Sequence, residues 1–127
     1  MKKKSKQLIT WSVVAVLVLA LIIFFLGRAQ KPGKYDAFAQ CLKTQGVIFY
    51  GAFWCPHCQN QKALFGSSVG YLPYVECSTP DGQGQLPLCT DNKVGGYPTW
   101  VFKDGSRLTV ETPLDQLASK SGCALPQ

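Results

Sequence analysis

Residues 50–61 read YGAFWCPHCQNQ, and their interpretation decides the fold. Cys55 and Cys58 stand either side of Pro56 and His57, directly after the apolar, β-branched and aromatic run Val47–Phe53. That run predicts a buried strand. Gln59–Phe65 then predicts a helix, closed by Gly66. A Cys-x-x-Cys pair at such a junction can hold a metal, staple a loop or exchange electrons with other thiols.

The third use fits the residues best. A cysteine at the start of a helix faces unpaired N–H groups and the positive end of the dipole, which stabilise a thiolate. Pro56 suits the first helical turn, where its missing N–H costs nothing. The expectation is therefore an exposed Cys55 thiolate that attacks and leaves readily, with Cys58 one turn on, pointing inward, to resolve the mixed disulfide. His57 would place a donor or partial positive charge near the Cys55 sulfur and favour the reduced pair. A structural zinc site normally needs four ligands. Here there is one knuckle, and Cys77 and Cys89 lie twelve positions apart. An inert staple is poorly served by a strand running into Trp-Cys-Pro-His-Cys.

A second element lies downstream at Gly95-Gly96-Tyr97-Pro98-Thr99. A cis bond before Pro98 would turn the Tyr97 carbonyl and the Thr99 amide toward the pair, giving substrate backbone an edge to meet. Trp54, Pro56, Tyr97 and Thr99 are the candidate substrate-binding residues, with Cys55, Cys58, His57 and Pro98 as the catalytic set. Phe49, Phe53, Phe65, Trp100 and Phe102 read as core.

Around these motifs the order is α-β-α-β-α-β-β-α. A helix is expected over 37–44, strands over 47–53, 71–76, 99–103 and 107–111, a short helix over 85–93 and a terminal helix over 113–121. Asp104-Gly105 makes the hairpin turn. The fold class is α/β, three layers α/β/α with a mixed four-stranded sheet, over residues 35–127.

The N-terminal part differs in kind. Lys2, Lys3, Lys4 and Lys6 form a basic head, 1–7, and Leu8–Leu26 is a 19-residue hydrophobic segment. It is expected to be a transmembrane signal-anchor, since crossing the hydrocarbon core takes about 20 residues. A cleaved signal peptide ending at Ala29 is the alternative. Residues 27–34 read as a tether. The lysines place the N-terminus inside and the domain on the extracytoplasmic side of the cytoplasmic membrane, single-pass. The six cysteines, all beyond the anchor, suit an oxidising space. The net charge of +6 is not a nucleic-acid footprint: from Arg28 onward nine basic and seven acidic residues leave +2, without a cluster. His57 is the sole histidine, which argues against a hydrolytic triad. No phosphate-binding loop, cofactor or metal is implied.

Phe53-Trp54-Cys55-Pro56-His57-Cys58, Tyr97-Pro98-Thr99 and the Asp104-Gly105 turn resemble those of thioredoxin-fold thiol–disulfide oxidoreductases, over roughly residues 36–122. Tyr50–Cys58, Leu72–Cys77 and Ser121-Gly122-Cys123 resemble, more closely, the thioredoxin-like domain fused to bacterial and plastid homologues of vitamin K epoxide reductase. That resemblance implies a domain that takes electrons from reduced substrate proteins and passes them to a quinone-reducing membrane partner. The sequence has no four-helix catalytic domain, so the partner is expected to be a separate protein. Many relatives of the wider fold carry a buried carboxylate six positions before the first active cysteine. Here Phe49 occupies that place, which favours an oxidant of exported-protein thiols over a reductase.

Cys41, Cys77, Cys89 and Cys123 can pair in three ways. Cys77–Cys89, bracketing the Gly-rich loop, and Cys41–Cys123, tying the first helix to the last, are favoured as structural disulfides. A relay of electrons through Cys77–Cys89 stays open. So do a reductase or isomerase on the same scaffold and a redox-inactive, disulfide-stabilised binding module.

Overall fold

The computed structural model describes residues 2–27 and 32–127. The chain divides into two units, Met1–Lys31 and Pro32–Gln127.

Among its described residues the first unit forms one helix, α1 (Lys2–Leu26). Among the described residues no helix is long and apolar enough to cross a membrane. The expected transmembrane helix over 8–26 is corrected accordingly. The signal-anchor, the membrane anchoring of the domain and its single-pass location with the N-terminus inside fall with it. The side chains of the basic head and residues 28–31 of the expected tether lie outside the described residues.

The second unit is built on a four-stranded sheet of order β2-β1-β3-β4. Its strands are β1 (Ile48–Gly51), β2 (Tyr74–Glu76), β3 (Thr99–Val101) and β4 (Arg107–Leu108). β1 pairs parallel with β2, Phe49 opposite Tyr74. It pairs antiparallel with β3, Phe49 opposite Trp100, and β3 pairs antiparallel with β4. The sheet is mixed, and helices α2 (Asp36–Thr44), α3 (Pro56–Ala63), α4 (Pro87–Asp91) and α5 (Leu114–Ser121) complete a three-layer thioredoxin-like α/β/α fold.

Strand alternation divides the core in two. Phe49 and Trp100 point to the larger cluster, with Phe38 and Leu42 of α2, Phe65, and Leu117 of α5. Their rings stack at 4.4 Å between centroids, a cross-strand pair of the kind that stabilises a sheet. Ile48, Tyr50, Val75 and Val101 point the other way, toward a small cluster completed by Val94 and by Cys77 and Cys89. Phe53, expected in the core, is instead 48% exposed.

The elements are shorter than the hydrophobic runs that announced them. β1 covers four residues of Val47–Phe53, because Ala52–Trp54 must turn to start α3. Gly66–Tyr71 is a 3-10 turn and not the beginning of β2. β4 stops at Leu108, so Thr109–Glu111 leaves the sheet.

Candidate functional site

The site sits where β1 gives way to α3. Cys55 is the residue before the first turn of α3, extended at φ −77° and ψ 117°, with Pro56 opening the helix. Cys58 follows one turn later and is wholly buried. Both are free thiols. The helix tip is thus formed, but Cys55 is less open than the sequence suggested, at 5% exposure. One cause is the segment in front of it: the Tyr97–Pro98 bond is cis, and the Cys55 thiol donates to the Tyr97 carbonyl at 3.7 Å.

The other candidates divide. Trp54 is half-exposed and meets Tyr97 edge to face at 6.0 Å, so these two rings stand together beside the pair. Pro56 is exposed and Pro98 buried. Thr99 is 1% exposed, and its hydroxyl donates back to the Gly96 carbonyl at 2.8 Å. Its side chain therefore presents nothing to a substrate. His57 lies at the mouth but is engaged elsewhere: its Nδ1 sits 2.6 Å from Glu111 Oε1. Asn60 Nδ2 donates to the same oxygen at 3.1 Å. These bonds, the one to His57 first, hold the Glu111 carboxyl below its ordinary value. A groove of about 490 Å³ runs along this side, lined by His57, Tyr97, Pro98, Thr109, Val110 and Glu111.

Burial pushes the Cys58 thiol up to about 12. A backbone hydrogen bond with Ala52 opposes this, Cys55 adds to the rise, and the positive charge of Lys62 pulls down. Cys58 therefore holds its proton at neutrality. Phe49, in the place where a carboxylate could have taken that proton, is completely buried among rings.

Residues that the motifs did not announce complete the site. Glu76 accepts from the Phe53 amide at 3.2 Å, the Ser78 amide at 2.8 Å and the Tyr74 hydroxyl at 2.7 Å. Ser78 in turn accepts from the Trp54 indole N–H at 2.8 Å. The end of β2 thereby holds the loop that carries the redox pair. Gln61, fully buried, accepts from the Thr112 amide at 2.6 Å and donates to its carbonyl at 3.0 Å, fixing the segment that carries Glu111. Isolated polar residues of this kind have no spacing signature. Only the register of β1 with β2, and the departure of Thr109–Glu111 from the sheet, brings them in.

The remaining cysteines form two disulfides, Cys41–Cys123 and Cys77–Cys89. Cys77 and Cys89 have no exposed surface, which leaves no path for direct thiol attack on that bond. Among the described residues no group of three or more His, Cys, Asp or Glu side chains could hold a metal ion.

No family model matches the sequence. The chain is 42% identical over 96 residues to the thiol-disulfide oxidoreductase LTO1 of Arabidopsis thaliana. The alignment takes in 72% of this chain and 25% of that protein, so the chain spans about a quarter of its relative's length. What the fold and this similarity support together is a thioredoxin-like protein with a redox-capable cysteine pair.

Proposed function

We infer that this thioredoxin-like oxidoreductase works by dithiol–disulfide exchange through Cys55 and Cys58, in the direction that oxidises protein thiols. The observation that carries the reading is the placement of the pair: Cys55 at the helix tip beside the Tyr97 carbonyl, and Cys58 buried one turn behind it.

In the oxidised enzyme a substrate thiolate attacks Cys55 Sγ. A bond forms between the substrate sulfur and Cys55, the Cys55–Cys58 bond breaks, and its electron pair stays on Cys58, which then takes a proton. The substrate's second thiolate attacks its own sulfur in the mixed disulfide, and Cys55 leaves as a thiolate. The substrate loses two electrons and the pair gains them. Trp54 and Tyr97 supply an apolar rim for an extended chain. Phe49 in place of a carboxylate favours the oxidising direction, because no base stands ready to deprotonate Cys58 for the reverse attack. Reoxidation calls for a partner that supplies a disulfide. The resemblance to domains fused to vitamin K epoxide reductase homologues favours a partner of that kind.

Replacing Cys58 by Ala tests the chemistry. With the resolving sulfur gone, Cys55 is expected to accumulate as a mixed disulfide with a cysteine-bearing protein, visible by non-reducing electrophoresis and lost in Cys55→Ala. No trapped species under oxidising conditions overturns the reading. The reduction potential then sets direction: near about −120 mV it marks an oxidant, near about −270 mV a reductant.

A further inference from the structure

Beneath the redox pair, on the side away from His57, lies a cluster that the exchange steps above leave unused. Lys62 is four positions after Cys58 on α3, so the two side chains share one face of the helix. Its Nζ lies 3.4 Å from the centroid of the Tyr74 ring, the geometry of a cation held on an aromatic face. The Tyr74 hydroxyl donates to Glu76 at 2.7 Å, which fixes the ring from its far end. The edge of the same ring lies on the side of the resolving sulfur. A Cβ added at Gly51 would stand 2.8 Å from Tyr74 Cε2 and 2.9 Å from Cys58 Sγ, so both atoms flank one point. The titratable groups around Cys58 are therefore Cys55 just before α3, Lys62 from α3, Tyr74 from β2, and Glu76 acting through Tyr74.

We propose that Lys62, held in place by the ring of Tyr74, is the charge that supports the Cys58 thiolate during exchange, with Tyr74 as its positioning residue. When a thiolate attacks Cys55, the broken bond leaves its electron pair on Cys58 in a buried site. Negative charge there is costly unless a positive group is near. Lys62 provides that group without burying a second ion, since it remains partly open to solvent. Cys58 then takes its proton from water, and Lys62 ends the step unchanged. The arrangement makes the resolving sulfur usable in a site where Phe49 stands in place of a carboxylate.

This inference rests on the proposed exchange chemistry, and one experiment separates the two. The full chain is oxidised, and reduction of its Cys55–Cys58 bond by dithiothreitol is followed across pH in the wild type, Lys62→Met, Lys62→Arg and Tyr74→Leu. Lys62→Met is expected to slow the step about tenfold at neutral pH, the equivalent of about one unit in the acidity of Cys58. Its pH profile should keep the shape set by the dithiothreitol thiolate, since Cys58 carries no proton in the disulfide. The equilibrium reduction potential at neutral pH should stay put, because both end states carry an uncharged Cys58. Lys62→Arg should restore most of the rate. Tyr74→Leu should show the Lys62→Met defect, and the double variant should be no slower than either single one. A Lys62→Met protein with the wild-type rate, or Lys62→Arg as slow as Lys62→Met, overturns the inference and leaves the exchange reading standing. A wild-type protein whose Cys55–Cys58 bond does not react at all overturns the exchange reading itself.

Discussion

At the scale of single residues, the site depends on what Gly51 lacks. β1 ends there, and the space where a Cβ would go is already taken by the Tyr74 ring and the Cys58 sulfur. Neither can move freely, one being bound to Glu76 and the other set in the core. Gly51→Ala is therefore expected to cost about 1–3 kcal/mol, the usual range for overpacking, read as a lower urea midpoint. Glu111 makes a different case, because it is exposed and its importance is electrostatic. Its carboxyl lies below the ordinary 4.5 through the bond to His57, then through Asn60. A carboxyl lowered in the folded state stabilises above its unfolded value, and that contribution fades as pH falls through the lowered one. Glu111→Gln should thus unfold earlier than wild type near neutrality. The two midpoints should converge as pH is taken from 4.5 downward. Midpoints that stay equally far apart in acid would show that the His57 contact is not what lowers the group.

At the scale of elements, α3 positions Cys55 and Cys58, and its two ends are not equally legible in the sequence. The start could be read: a cysteine before Pro56, after an apolar run, is a recognisable strand-to-helix junction. The far side could not. Gln61 looks like an ordinary helical glutamine, yet it is buried and bridges both the amide and the carbonyl of Thr112. Nothing in periodicity distinguishes it from Gln59, which is exposed. The strands show the same limit. Hydrophobic runs gave their existence and chain order but overran their bounds, at Ala52–Phe53, Tyr71–Pro73, Phe102–Lys103 and Thr109–Glu111, because leaving a sheet is decided by what the next element must reach. The length and apolar composition of the run in α1 predict a membrane span, and the described helix does not support that reading. Gln61 supplies the element-scale prediction. Gln61→Ala strands two buried backbone groups, with an expected loss of about 1–3 kcal/mol. Thr112 carries Glu111 beside His57, so the variant should also lose the acid dependence assigned to Glu111. Loss of stability with that dependence intact would mean that the segment is held by other contacts.

At the scale of the whole second unit, two cores of unequal size share one sheet, and each disulfide serves a different one. Cys123 belongs to the large cluster, where Phe38, Leu42, Phe49, Phe65, Trp100 and Leu117 already provide an apolar centre. Cys77 and Cys89 make up half of the four buried residues of the small cluster. α4 is only five residues long and presents one buried residue, Cys89 itself. Chain entropy alone ranks the bonds by loop length. A separation of 82 residues corresponds to about 4.5 kcal/mol for Cys41–Cys123, and one of 12 to about 3 kcal/mol for Cys77–Cys89. Function should rank them the other way. The Cys77–Cys89 loop holds Ser78 against the Trp54 indole, and Gly82 comes close enough that a Cβ there would lie 3.5 Å from Trp54 Cδ1. Loosening it frees the rim of the redox pair, whereas Cys41–Cys123 joins α2 to the segment after α5. The paired replacement Cys41→Ala/Cys123→Ala should lower the denaturant midpoint more, with exchange by the folded protein close to wild type. Cys77→Ala/Cys89→Ala should lower the midpoint less and slow exchange with a protein dithiol more than with dithiothreitol, because only the larger substrate needs the rim. Equal slowing with both substrates would mean that the loop acts on the Cys55–Cys58 bond itself and not on how a protein docks beside it.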